Sequence, residues 1–277
     1  MDEVGFMVTH ISEDGFAYFG TIGGIDPRVV AGKRVVLGDK RLPGVIAAKA
    51  IHMQKPEERG VPAPVDEMFI DIGCISEENT KALVSVGDCA VFAPNYEAFG
   101  DGFIKSKAID DRFGCAVLVK LLQSELEYDT YFAFCTAEEV GCRGAATVGQ
   151  AIGAGTVIVL EATTAGDIPG APKSRVACRV GAGAVVSFMD GGTVYPRELI
   201  ELAMATAGEK GIRAQLKELV AGGNDASAYQ RAAAGARVLA LSAPVRYIHS
   251  ACSVAKIDDL EQVYALANAL AERSFDK

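Results

Sequence analysis

The spacing of apolar positions changes character near residue 103. Before it, short β-type runs at 6–11, 17–19, 34–37, 45–51, 67–72 and 90–94 are cut by glycine and proline. Several short strands divided by turn residues predict a small β-barrel or sandwich. A polar, proline-rich loop covers 56–64. Residues 76–84 predict one short helix, with Ser76 as its cap and Glu77 and Glu78 in its first turn. After 103 the elements lengthen and alternate. A helix is predicted from Asp110 or Asp111 to 122, then an apolar strand at 130–136 leading to Glu138, and a helix at 145–152. A strand at 156–160 ends in Glu161. Helices follow near 196–210 and 226–234, then a strand at 237–241 and a closing helix at 258–273. Alternating strands and helices predict an α/β sheet covered on both faces.

Composition narrows the class. The chain has 277 residues, enough for one large domain or two smaller ones. Half the residues are hydrophobic and mean hydropathy is +0.21, yet no apolar stretch approaches the roughly 20 residues needed to span a bilayer. Buried α/β strands account for the hydrophobicity, and no membrane partner is expected. A formal charge of −9 argues against a nucleic-acid surface. Seven scattered cysteines without a Cys-x-x-Cys pair read as reduced thiols in a cytoplasmic protein. The N-terminus shows no basic region followed by an apolar core, so no secretory leader is expected.

Candidate chemistry clusters where predicted strands end. Glu138 and Glu139 are adjacent carboxylates after an apolar run, and they repel each other unless a positive charge lies beside them. A metal ion relieves that repulsion, with one Glu as ligand and its neighbour left as a base. Asp110 stands ahead of a helix, Glu161 after the next strand, and His249 after the strand at 237–241. Ligands in open α/β sheets collect at the carboxyl ends of strands, so these chain-distant residues can converge. Oxygen and nitrogen donors of this kind suit a divalent ion such as zinc or cobalt. Each residue also has a plainer reading. The Asp110-Asp111 pair is a helix N-cap, the Glu pair a solvated first turn, Glu161 an ordinary strand-end residue, and His249 a core or surface histidine. His10 and His52, in the β-rich part, are read as structural.

The strings Met1-Asp-Glu-Val-Gly-Phe6, Lys107-Ala-Ile-Asp-Asp-Arg-Phe-Gly114, Ala137-Glu-Glu-Val-Gly-Cys-Arg-Gly-Ala145 and Arg246-Tyr-Ile-His-Ser250 resemble the dinuclear-metal aminopeptidases of the TET and glutamyl-aminopeptidase type. Some members of that family carry an endoglucanase label. The resemblance runs in order over essentially the whole chain. It implies a three-layer αβα peptidase domain (1–5 and 103–277) with an inserted β-barrel-like dimerisation domain (6–102). It also implies peptide substrates, two divalent ions per subunit (zinc or cobalt, with manganese tolerated), and a homo-oligomer built on dimers, a dodecamer among its forms. By resemblance Asp110 bridges the two ions, Glu139 and His249 complete the shell of one, and Glu161 stands where the family has an Asp. Glu138 is the implied general base. Asp2 matches the Asp of a His-x-Asp arrangement that orients a first metal-binding His. That His would fall immediately ahead of Met1, so the expectation is a truncated reading frame or fragment.

Three functions compete on this evidence. The first is hydrolysis of N-terminal residues from peptides. The second is a catalytically impaired remnant that only forms oligomers or binds peptides. The third is deacylation of N-acyl amino acids on a related metal site. Glycoside hydrolysis fits poorly, because adjacent carboxylates cannot flank a glycosidic bond at the required separation of about 5–9.5 Å.

Overall fold

The computed structural model describes residues 2–273 and Phe275. Met1, Ser274, Asp276 and Lys277, at the ends of the expected peptidase segments, lie outside the described residues. The chain divides into two compact units, one of residues 3–95 with 249–252, the other of Asp2, 96–248 and 253 onward.

The first unit is a closed six-stranded barrel in the order β1-β2-β5-β4-β3-β6. Its strands are β1 (Gly5–Ile11), β2 (Ala17–Ile22), β3 (Arg34–Leu37), β4 (Leu42–Ala47), β5 (Phe69–Asp71) and β6 (Cys89–Phe92). Alternation sends Phe6, Val8, Phe19, Leu37, Ile46, Ile70 and Phe92 inward, where they are fully or nearly fully buried. Phe6 meets Phe19 and Phe92 edge-on, with ring centroids 4.9 and 5.2 Å apart. Such pairs add about 0.5–1.5 kcal/mol each beyond burial. Helix α1 (Glu77–Lys81) starts at Ser76, whose Oγ accepts the Asn79 N–H at 3.3 Å.

The second unit is mixed α/β. It contains β7 (Glu97–Phe99), β8 (Phe103–Ser106), α2 (Ile109–Leu122), α3 (Arg143–Ile152), β9 (Thr156–Thr164), β10 (Ala184–Val186) and α4 (Arg197–Lys210). Then follow β11 (Ala214–Leu216), α5 (Ala226–Arg231), β12 (Arg237–Val245), β13 (Ser253–Lys256) and α6 (Ile257–Ala271). The main sheet runs β11-β10-β12-β9, and a smaller one runs β13-β8-β7. β9 and β12 pair in parallel over nine residues, from Thr156 opposite Arg237 to Thr164 opposite Val245. β12 is buried along almost its whole length, as a central strand must be. Its Leu239, Leu241 and Val245 share a core with Val117 and Leu121 of α2, Leu199 and Ala203 of α4, and Val263, Leu266 and Leu270 of α6.

Two sequence expectations change here. Residues 130–136 form no strand. β9 ends the sheet order, and a cavity of about 860 Å³ is lined by Thr130, Tyr131 and Phe132 together with Thr156, Ile158 and Leu160 of β9. An apolar run becomes a strand only against a partner backbone, and this one has none in register. Secondly, β9 continues to Thr164, so Glu161 sits inside the strand rather than beyond its end.

No helix among the described residues is long and apolar enough to cross a membrane. All seven cysteines are free.

Candidate active site

The entrance to α2 brings carboxylates onto β9. Asp110 and Asp111 have non-helical backbone angles at the start of the helix, and the peptide between them is cis. Asp111 turns inward, and its Oδ1 accepts the Gly114 N–H at 2.8 Å in a capping contact. The N-cap reading of the pair is therefore taken up by Asp111. A Cβ on Gly114 would collide with the Asp111 carboxylate and the Leu160 carbonyl, so only glycine lets α2 come this close to β9. That approach places Asp110, Asp111 and Glu161 with donor atoms all within 4.8 Å of one another. Glu161, opposite Ser242 in the β12 register, is 4% exposed. Its Oε1 has no hydrogen-bond partner among the described residues.

A tight turn presents the Glu pair. The Gly141 and Cys142 N–H groups both donate to the Glu138 carbonyl, at 2.9 and 3.0 Å, and Gly144 donates to Thr136 at 3.0 Å. A side chain at Gly144 would strike the Thr136 backbone, so that closure too requires glycine. α3 starts only at Arg143, so Glu138 and Glu139 precede the helix instead of forming its first turn. Asp2 accepts the Glu138 N–H through Oδ1 at 3.0 Å and so fixes this turn. Glu139 and Asp110 offer carboxylate oxygens within 4.8 Å of each other.

Asp225 was not singled out as a site residue from sequence. In Gly222-Gly-Asn-Asp225, the capping contact is made by Asn224, whose Oδ1 accepts the Ala226 N–H at 2.8 Å. Asp225 makes no side-chain cap bond, is 4% exposed, and lies in a group with Glu138 and Cys142. Its Oδ1 is also unpartnered among the described residues. The only signal for it was the glycine-rich loop itself, which fits any turn.

His249 belongs to the barrel unit. Its ring Nδ1 lies 2.9 Å from the Gly24 carbonyl. A carbonyl can only accept, so Nδ1 carries the proton and Nε2 carries the lone pair of the neutral ring.

The electrostatics of Glu138, Asp111, Glu161 and Asp225 are those of buried carboxyl groups crowded by like charge. Burial, and then the charges of Glu139 and Asp110, raise Glu138 to about 8. Burial and the Asp110 charge hold Asp111 well above the usual range. Burial and the Asp111 charge do the same for Glu161. Burial raises Asp225 to about 6. A divalent cation is the species that such a donor set accommodates: hard oxygens, some without hydrogen bonds, crowded in low dielectric.

The comparisons with known proteins agree with this chemistry. The profile of the M42 glutamyl aminopeptidases matches residues 1–266. The chain belongs to the M42 peptidase family. It is thus a hydrolase of a metal-dependent aminopeptidase family. FrvX of Escherichia coli K12 is 35% identical to this M42 chain over 272 residues, 96% of this chain and 76% of that protein. An aminopeptidase from the archaeon Desulfurococcus kamchatkensis superposes with a TM-score of 0.93 at 33% identity, covering 99% of this chain and 78% of the other. The Pyrococcus horikoshii TET1 peptidase, described as assembling into a tetrahedron or a large octahedral shell, gives 0.86 at 31% identity, covering 99% and 82%. These relatives share the mixed α/β peptidase fold.

Proposed function

We propose that this M42 chain removes N-terminal residues from peptides, with Glu138 as general base and divalent ions held by Asp110, Glu139, Glu161 and His249. The observation that carries the reading is the buried Glu161, grouped with Asp110 and Asp111, whose Oε1 lacks a hydrogen-bond partner among the described residues. Two ions per subunit, zinc or cobalt with manganese as an alternative, suit oxygen and imidazole donors. When bound, they would supply Lewis acidity toward the scissile carbonyl and the attacking water. The Nδ1 contact of His249 with Gly24 favours ligation through Nε2, a common arrangement for metal-binding histidines.

The chain's own residues account for proton movement. Glu138 takes a proton from the attacking water and returns it to the leaving amine. An acidity near 8 in the absence of cations means that neighbouring positive charge tunes this group toward its working range. Asp2 holds the Glu138 backbone and so aims the carboxylate. Around this site we read the α/β unit as a three-layer αβα peptidase domain. The β-rich part, 6–102, serves as a dimerisation domain in a homo-oligomer, with a dodecamer as one outcome. Ile51, Met53 and Val61, each more than 60% exposed on the barrel unit, support such a surface. Free cysteines suit the cytoplasm.

Glu138→Gln tests the assignment. Acid–base catalysis of this kind is worth about 10²–10⁴-fold, so turnover of an unblocked dipeptide should fall by that factor while bound metal is unchanged. Near-normal turnover would overturn the role of Glu138. Cleavage of N-acetylated substrates in preference to free ones would replace the aminopeptidase with a deacylase.

A further inference from the structure

Beside the carboxylates already described lies a second group of different chemistry. Glu138, Cys142 and Asp225 each offer one donor atom, all within 4.8 Å of one another. The group shares no residue with Asp110, Asp111 and Glu161. Cys142 Sγ is 3.9 Å from Glu138 Oε1, at the outer limit of a thiol hydrogen bond. A tetrahedral zinc with a Zn–S bond near 2.3 Å and Zn–O bonds near 2.1 Å sets sulfur and oxygen about 3.6 Å apart. The observed pair therefore needs to close only slightly to share an ion. Cys135, which also lies beside Asp225, has its sulfur 3.3 Å from the Tyr229 hydroxyl.

Asp225 gives the independent indication. It is 4% exposed and its Oδ1 has no hydrogen-bond partner among the described residues. A buried carboxylate oxygen left unpaired costs several kcal/mol unless something positive meets it. The adjacent Cys142 thiol is only a weak donor to it, whereas an ion coordinated by both meets the charge.

We infer that Glu138, Cys142 and Asp225 form a thiol-containing site for a soft divalent cation, Zn²⁺ or Cd²⁺. Binding releases the Cys142 proton to solvent and joins one thiolate and two carboxylates to the ion. The site is also inhibitory, since an ion seated there occupies the Glu138 carboxylate. That consequence, unlike the binding itself, rests on Glu138 being the base.

The test is a Cd²⁺ titration of the full chain, first loaded with manganese, which prefers the oxygen donors and leaves the thiol free, followed by the near-ultraviolet thiolate-to-cadmium absorption. The expected result is a band that saturates at one equivalent, is abolished in Cys142→Ser and persists in Cys115→Ser, whose thiol lies outside the group. Asp225→Asn should weaken Cd²⁺ binding at least about tenfold, roughly the loss of one charged ligand. Absence of the band, or its survival in Cys142→Ser, overturns the site. Because the band is read without substrate, its absence is distinguishable from a failure of the peptidase reading, which the Glu138→Gln turnover measurement reports separately. If the band forms as expected but excess Cd²⁺ leaves peptidase activity intact, the inhibitory role is overturned.

Discussion

The barrel unit and the α/β unit bury very different things. Within the barrel, the buried polar side chain is Thr80, whose hydroxyl donates to the Gly15 carbonyl at 2.7 Å, and the rest of the interior is apolar. The α/β unit buries Asp111, Glu161, Asp190, Lys217, Asp225 and Asp259. Four of the carboxylates among them fall into two kinds. Asp259 accepts from the Gly181 and Gly183 N–H groups at 2.6 and 2.8 Å. Asp190 accepts from Gly192, Thr193 and the Tyr195 hydroxyl. Both are structural anchors for loops. Glu161 and Asp225 instead keep unpartnered oxygens. Burial of charge alone therefore does not mark a site. Among the buried carboxylates it is the unpartnered oxygen that points to a site, because stability alone gives no reason to retain it.

The sharpest way to break this contrast is at the barrel core. Phe6→Ala removes a fully buried ring that contacts Phe19 and Phe92, and should cost about 3–5 kcal/mol. Thermal or denaturant unfolding measures it. A loss under 1 kcal/mol would mean that the barrel interior is not the tightly packed apolar core described.

The second test addresses the α/β carboxylates through pH. Glu138 rises from 4.5 to about 8 and Asp225 from 3.8 to about 6 on folding. The folded state thus binds more protons than the unfolded state across that window. The stability these groups contribute to metal-free protein is fully present below about pH 4 and is lost as pH rises toward 8, by several kcal/mol in all. Glu138→Gln should flatten the upper part of the slope, and saturating zinc should abolish or reverse it. A metal-free Tm that climbs steadily from pH 5 to 8 would contradict the electrostatic account.

A smaller effect is expected at the anchors. Tyr195→Phe deletes the 2.6 Å hydroxyl donation to Asp190, which also helps to hold Asn224 beside Asp225. It should cost about 0.5–1.5 kcal/mol by denaturation while leaving the pH slope in place. A change in slope as large as that from Glu138→Gln would erase the distinction between anchors and site.

Much of this was legible from residues. Ser76 and the acidic turn after it mark the start of α1, and the period change near residue 103 precedes the long helices and the nine-residue strands β9 and β12. Glu138, Asp110 and Glu161 were drawn from strand-end logic, although Glu161 proved to lie within β9. Three failures have physical causes. β10 and β11 have three residues each, too few for a period to show. Residues 130–136 have strand composition, but pairing depends on a partner backbone that local sequence does not encode. Asp225 looks like any polar residue at a glycine turn, and only burial without hydrogen bonds reveals it.

The central claim is that the carboxylate group around Glu161, whose buried Oε1 is unpartnered among the described residues, binds cations. Its most direct test is elemental analysis of ions per chain after zinc loading and gel filtration, for wild type and Glu161→Gln side by side. Tightly retained zinc is expected in the wild type and at least one ion fewer in the variant. A folded wild type that retains none, or a variant that retains as much, would contradict it.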